Sequence, residues 1–196
     1  MIRVAVEAKF FGDLQILGPI HFKIAPGETV ALVGRSGIGK STLLNIVAGI
    51  DTGFLGSVER PDKMAIVFQE PTLLPWRSAL DNLLLPNAGL ARDRAMAALD
   101  RIGLSGKESA FPGQLSLGQQ RRLALARAFV GRPELLLMDE PFVSLDPDIA
   151  DSMMTLTEEL IAETRPATLF VTHSHSEAER LSDQILTLAG NPASLA

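Results

Sequence analysis

"GRSGIGKST" (Gly34–Thr42) decides how this chain is read. The segment before it, "IHFKIAPGETVALVG", reads as two short strands around a Pro26-Gly27 turn, the second ending at Gly34. The segment after it, "KSTLLNIVAG", reads as a helix stopped by Gly49. Gly34-x-x-x-x-Gly39-Lys40-Ser41 between a strand and a helix is the phosphate-loop pattern. Glycines let the backbone wrap so that successive N–H groups face phosphate oxygens. Gly34, Arg35, Ser36, Gly37, Ile38, Gly39, Lys40, Ser41 and Thr42 are therefore expected to bind nucleotide. In that arrangement Lys40 reaches the β- and γ-phosphates, Ser41 ligates Mg²⁺ and Thr42 touches the α-phosphate. A Gly-rich turn that merely joins two elements is the structural alternative, and the Lys-Ser pair in this context argues against it.

Downstream, "ELLLMDEP" (Glu134–Pro141) puts Asp139 and Glu140 at the end of a buried apolar run. Carboxylates there are common turn residues. Beside a phosphate loop, Asp139 is the expected holder of Mg²⁺, directly or through water. Glu140 is free for another task, polarising the water that attacks the γ-phosphate as a general base. A kinase would need an acceptor site instead, so the pair favours hydrolysis.

The remaining chain is consistent with one α/β domain. Its 196 residues, 46% of them hydrophobic, can bury a sizeable core. "MIRVAVEAKFFG" alternates like a strand, "KMAIVFQ" reads as a strand ending at Gln69, and "ELLLMD", "ATLFVT" and "QILTLA" follow as strands. Helical patterns dominate from Pro71 to Val130, including "ARDRAMAALDRIG", and return in "PDIADSMMTLTEELIAE" and "SEAERLSD". Strands alternating with helices imply a largely parallel sheet interrupted by a helical insert. The net charge of −5 argues against nucleic acid as the main partner, despite the local cluster of Arg121, Arg122 and Arg127. Cys is absent, which removes disulfides and Cys-based chemistry. No apolar run approaches the roughly 20 residues a spanning helix needs.

One further stretch, "QLSLGQQRRLALARAF" (Gln114–Phe129), reads as a helix entered through Ser116, with Gln119 at capping-box spacing. Such a helix start can hold an anion. An ordinary helix cap is the local alternative. Taken with the phosphate loop, "LLLMDEP", "SLD" (Ser144–Asp146) and "TH" (Thr172–His173), the chain resembles the ATP-binding cassette (ABC) ATPases over nearly its whole length and in the family's order.

The resemblance implies a P-loop NTPase (RecA-like) core with a mostly parallel sheet, an N-terminal antiparallel β part and a helical insert. It divides a single ABC domain, residues 1–196, into a core (1–70 and 130–196) and a helical subdomain (71–129). "LSLGQ" (Leu115, Ser116, Leu117, Gly118, Gln119) is similar to the family signature, usually Leu-Ser-Gly-Gly-Gln, which caps the ATP held by a second subunit. Leu117 departs from that pattern, and would strain the chain if the position needs positive φ. The resemblance also makes Lys40, Glu140 and His173 the catalytic set, with His173 holding the γ-phosphate and the attacking water. Gln69 becomes a contact to Mg²⁺ or water, so that Ser41, Gln69 and Asp139 are the expected metal set, and Asp146 lies on the loop that crosses to the partner. Phe11, just before Gly12, is the expected ring against adenine. If the strand continues, Phe10 and Phe11 point to opposite faces, so that one belongs to the core.

"LLPWRSALDN" (Leu73–Asn82) resembles the ATPases of nitrate, sulfonate and taurine importers, and more loosely those for thiamine precursors, which implies an importer of a small anionic or heterocyclic nutrient. That implies ATP and Mg²⁺ as ligands, a second ATPase subunit (a homodimer), transmembrane permease subunits and a substrate-binding protein as partners. It places the chain at the cytoplasmic face of the membrane. An export or lipid-trafficking ATPase and a soluble non-transport ATPase are the alternatives. Trp76, the only Trp, would either meet the permease or fill the insert's own core.

Overall fold

The computed structural model describes residues 1–196. Its strands are β1 Ile2–Phe11, β2 Leu14–Leu17, β3 Ile20–Ile24, β4 Thr29–Val33, β5 Phe54–Glu59, β6 Met64–Val67, β7 Leu135–Asp139, β8 Ala167–Thr172, β9 Gln184–Gly190 and β10 Ala193–Leu195. The helices are α1 Lys40–Ala48, α2 Ala79–Leu84, α3 Arg92–Arg101, α4 Leu117–Val130, α5 Pro147–Thr164 and α6 His175–Leu181. The sheet runs β3-β1-β2-β10-β9-β4-β8-β7-β6, and β5 pairs with β1 off that path.

Two compact units emerge. The first contains Met1–Ile66, Glu134–Glu140 and Arg165–Ala196; the second contains Val67–Pro133 and Pro141–Thr164. In the first, β4 pairs in parallel with β8 on one side and β9 on the other, and β7 pairs in parallel with β8. All five residues of β4 and all six of β8 are buried, as both faces of a covered parallel sheet require. This explains why "TVALV" and "ATLFVT" are continuous runs rather than alternating ones. The antiparallel part is built on β1, which pairs with β2, β3 and β5.

Leu43, Leu44, Ile46 and Val47 of α1 pack into one core with Leu32, Leu137, Leu169 and Val171. Truncating such a side chain, as in Leu44→Ala, costs about 2–5 kcal/mol. Gly49 ends α1 at φ 72°, and its N–H donates to the carbonyls of Asn45 and Ile46. Only glycine takes that left-handed cap without strain.

The second unit is helical. Leu80 and Leu83 of α2, Leu99 of α3 and Leu123 of α4 form its core with Ile102, Leu104 and Leu115, and Leu156 of α5 packs against it. Two arginines of α4 tie loops down. Arg121 donates to the Val143 carbonyl at 2.7 Å, and Arg127 donates to the carbonyls of Pro71 and Thr72.

Candidate nucleotide site

The phosphate loop joins β4 to α1 and is shaped by two left-handed glycines, Gly37 at φ 77° and Gly39 at φ 108°. Gly39 caps α1 without any side-chain hydrogen bond, and no acidic residue lies in the first turn. The N–H groups of that turn therefore remain available to an anion. A Cβ on Gly34 would come within 2.8 Å of the Leu188 carbonyl oxygen, so the loop must enter through glycine. Around Gly37 a Cβ would meet nothing within 4 Å. A cavity of about 590 Å³ lies beside the loop, lined by Gly34, Arg35, Ile38, His173, His175 and Leu188 among others. These features fit a nucleoside triphosphate.

Lys40 is 4% exposed, and its Nζ donates to the Gly34 and Arg35 carbonyls at 3.0 and 3.2 Å. The same nitrogen lies 3.4 Å from Glu140 Oε1. Ser41 Oγ donates to Asp139 Oδ1 at 2.9 Å. The parallel register of β7 and β8, Asp139 opposite Val171, brings the ends of both strands to the same place. There Glu140 N donates to the Val171 carbonyl, and Glu140 Oε2 lies 3.2 Å from His173 Nδ1. Lys40, Ser41, Asp139, Glu140 and His173 thus converge beside the loop.

Burial pushes the Asp139 carboxyl above the usual carboxylate range, and the neighbouring Glu140 charge adds to it; the Ser41 hydrogen bond and Lys40 oppose the rise. Ser41 and Asp139 offer two hard oxygen ligands, the chemistry Mg²⁺ selects. The residues present therefore fit that ion. His173 and His175 do not join a third His, Asp or Glu in a metal-holding group. His175 instead begins α6, whose start is fixed by Ser174 Oγ accepting from Glu177 N and by Thr172 Oγ1 donating to Glu177 Oε2.

Phe11 is 55% exposed, which leaves its ring accessible for stacking. The expectation that either Phe10 or Phe11 belongs to the core fails, because Phe10 is also 44% exposed. A register shift in β1 between Lys9 and Phe10 breaks the alternation. Lys9, not a phenylalanine, turns inward, and its Nζ bonds Asp51 Oδ1 at 2.6 Å and the Gly53 carbonyl at 3.0 Å. Sequence reasoning missed this residue, since Lys in a strand next to a turn reads as solvated.

In the second unit, Ser116 caps α4. Its Oγ accepts from Gln119 N at 3.3 Å and its N–H donates to Gln119 Oε1 at 3.0 Å, completing the capping box. Leu117 opens the helix, is 52% exposed and has no positive φ, so the strain considered for it does not arise. A Cβ on Gly118 would meet only Ile149, at 3.8 Å. Asp146 precedes α5 and its carbonyl accepts from Ala150 N. Gln69 is exposed, two residues past the end of β6. Trp76 is 68% exposed, so it does not fill the insert's core. The buried Asn82 holds its loop: Oδ1 accepts from Leu74 N, and Nδ2 donates to the carbonyls of Leu74, Arg77 and Ser78. Only an amide between the apolar pairs of "ALDNLL", beside Asp81, hinted at that role.

The ABC transporter family model matches residues 17–143. The chain belongs to the ABC transporter family. This ABC protein is 48% identical over 191 residues to the aliphatic sulfonates import ATP-binding protein SsuB 2 of Nocardia farcinica (strain IFM 10152), covering 96% of this chain and 80% of that one. It is 46% identical over 194 residues to SsuB 2 of Mesorhizobium japonicum (strain LMG 29417 / CECT 9101 / MAFF 303099), covering 96% and 77%. Among solved structures it is similar to the ATP-binding cassette MJ0796 in a dimeric post-hydrolysis state bound to ADP and Pi. That match has a TM-score of 0.83 and 29% identity, covering 100% of this chain and 96% of that one. As a member of the family, this ABC protein binds ATP and couples its hydrolysis to transport. None of its helices is long and apolar enough to cross a membrane.

Proposed function

We propose that this ABC protein is the ATPase of an importer for small organic anions of the aliphatic sulfonate class, working as a homodimer on the cytoplasmic face of the membrane. The observation that carries the mechanism is the placement of the Glu140 carboxylate between Lys40 at 3.4 Å and His173 at 3.2 Å. The sulfonate relatives support the substrate class. On this reading residues 1–196 form one ABC domain whose helical subdomain faces the permease, and a binding protein delivers the anion.

Lys40 now rests on two carbonyls of its own loop. A seated triphosphate offers the ammonium stronger, charge-assisted acceptors, and moving onto them frees Glu140 Oε1. That oxygen takes the proton of the attacking water, while His173 on Oε2 keeps the carboxylate aimed and contacts the γ-phosphate. Ser41 and Asp139 would hold Mg²⁺, which when bound neutralises charge on the phosphate oxygens. Phe11 stacks on adenine. Leu115, Ser116, Leu117, Gly118 and Gln119 of a second copy cap the γ-phosphate, and Asp146 lies on the crossing loop. Hydrolysis to ADP and phosphate removes the contacts that close the pair.

The test is the mass in solution of Glu140→Gln with and without Mg²⁺-ATP, beside phosphate release by the unaltered chain. An ATP-dependent dimer with release reduced about 10²–10⁴-fold supports the reading. A variant that binds ATP yet stays monomeric overturns the homodimer. Unchanged phosphate release overturns Glu140 as the base.

A further inference from the structure

Lys9 is out of character for its place. It is 5% exposed on a strand otherwise lined at its buried positions by Ile2, Val4, Val6 and Ala8. Burying an ammonium costs several kcal/mol unless it is paired, so something must hold it there. Asp51 Oδ1 and the Gly53 carbonyl do so, at 2.6 and 3.0 Å. Asp51 Oδ1 in turn accepts from Gly53 N at 3.0 Å, so the turn after α1 is shaped into an acceptor for this one side chain. The pairing of Lys9 with Phe54 across β1 and β5 fixes the lysine beside that turn.

The third contact of Lys9 is not needed for neutralisation. Its Nζ lies 4.6 Å from the centroid of the Phe11 ring. The ammonium is buried while the ring is 55% exposed, so the cation covers the protein side of the ring and leaves the outer face to solvent. A cation on one face draws π density toward it and leaves the opposite face less negative. That lowers the repulsion against the π cloud of a stacked purine. The contact also restrains a ring that is more than half exposed.

We propose that Lys9 is a positioning residue for nucleotide recognition: held by Asp51 and Gly53, it fixes and polarises Phe11 so that the ring's outer face receives the purine base. This rests on the reading of Phe11 as the base platform. Lys9 itself touches neither the base nor the phosphates.

The experiment measures the Kd of ATP and of inorganic tripolyphosphate, which lacks a base, by calorimetry on the purified chain and its Lys9→Met, Lys9→Arg, Phe11→Ala and Lys9→Met/Phe11→Ala variants. Lys9→Met is expected to weaken ATP about three- to tenfold while tripolyphosphate binding stays within twofold. Lys9→Arg, which keeps the cation, restores at least half of that loss, and the double variant binds ATP no more weakly than Phe11→Ala alone. Equal weakening of ATP and tripolyphosphate makes Lys9 a structural residue and overturns the proposal. Additive losses in the double variant also overturn it. If Phe11→Ala leaves ATP affinity unchanged, the base-platform reading itself fails, a result separable from the others. Should Lys9→Met not fold, Lys9→Met/Asp51→Asn removes both charges and carries the same comparison.

Discussion

Ser41 Oγ donates to Asp139 Oδ1 across 2.9 Å, joining the first turn of α1 to the end of β7 over a separation of 98 positions. This bond takes the hydroxyl and the carboxylate that the proposed Mg²⁺ site would use and holds them as neighbours beforehand. Less of the cost of assembling ligands then falls on binding.

The same pair predicts an unusual pH dependence. Burial raises the Asp139 carboxyl above its unfolded value, so between those two values the folded chain holds more protons than the unfolded one, and stability falls as pH rises. At pH 7, without nucleotide, Asp139→Asn should therefore raise Tm by a few degrees, a gain that disappears near and below the unfolded carboxylate value of about 3.9. Asp51 behaves oppositely, because the Lys9 hydrogen bond lowers its carboxyl. Its stabilisation is present above the unfolded value and is lost as pH falls through the lowered one. Asp51→Asn should lower Tm at pH 7 and approach the unaltered chain on acidification. Thermal unfolding of both variants across pH 3–8 checks the two signs.

Trp76 and Asn82 separate presentation from packing. Trp76 is 68% exposed, so Trp76→Ala should change unfolding free energy by no more than about 0.5 kcal/mol and leave ATP affinity intact, while weakening assembly with the permease. Asn82→Ala leaves the N–H and carbonyls of its loop without their partner, and should cost about 2–3 kcal/mol. Denaturant unfolding of the two variants, with co-purification of the membrane subunits, distinguishes these outcomes.

Leu117 stands in ordinary helical geometry at the start of α4, so restoring the family's glycine relieves nothing. Leu117→Gly should destabilise the chain, by up to about 1 kcal/mol, rather than stabilise it. A rise in Tm for that variant would contradict this account of the position.

Most of the candidate site's local geometry was legible because it rests on short-range chemistry. The phosphate loop, the Asp139-Glu140 pair and the Ser116–Gln119 capping box are each contained within a few residues, and each sits where its local pattern placed it. The core strands β4, β7 and β8 were legible as apolar runs. β5, "FLGSVE", was not: it has no apolar alternation, and its place beside β1 depends on Gly56, where a Cβ would come within 2.0 Å of the Ala5 carbonyl oxygen. The exposure of both Phe10 and Phe11 was equally hidden, since the register shift at Lys9 depends on pairing with β2, a four-residue strand. Asn82 and Lys9 are identified by partners distant from any motif. Periodicity carries no information about either.

Glu140 occupies a left-handed backbone conformation, φ 45°, at the position where the proposed mechanism places its base. A side chain there costs on the order of 1 kcal/mol that glycine would not incur. The backbone alone would favour glycine there, whereas the buried Lys40 ammonium 3.4 Å from Oε1 and the proposed role as base both call for the carboxylate. Any effort to harden this protein should keep that position fixed and recover stability elsewhere.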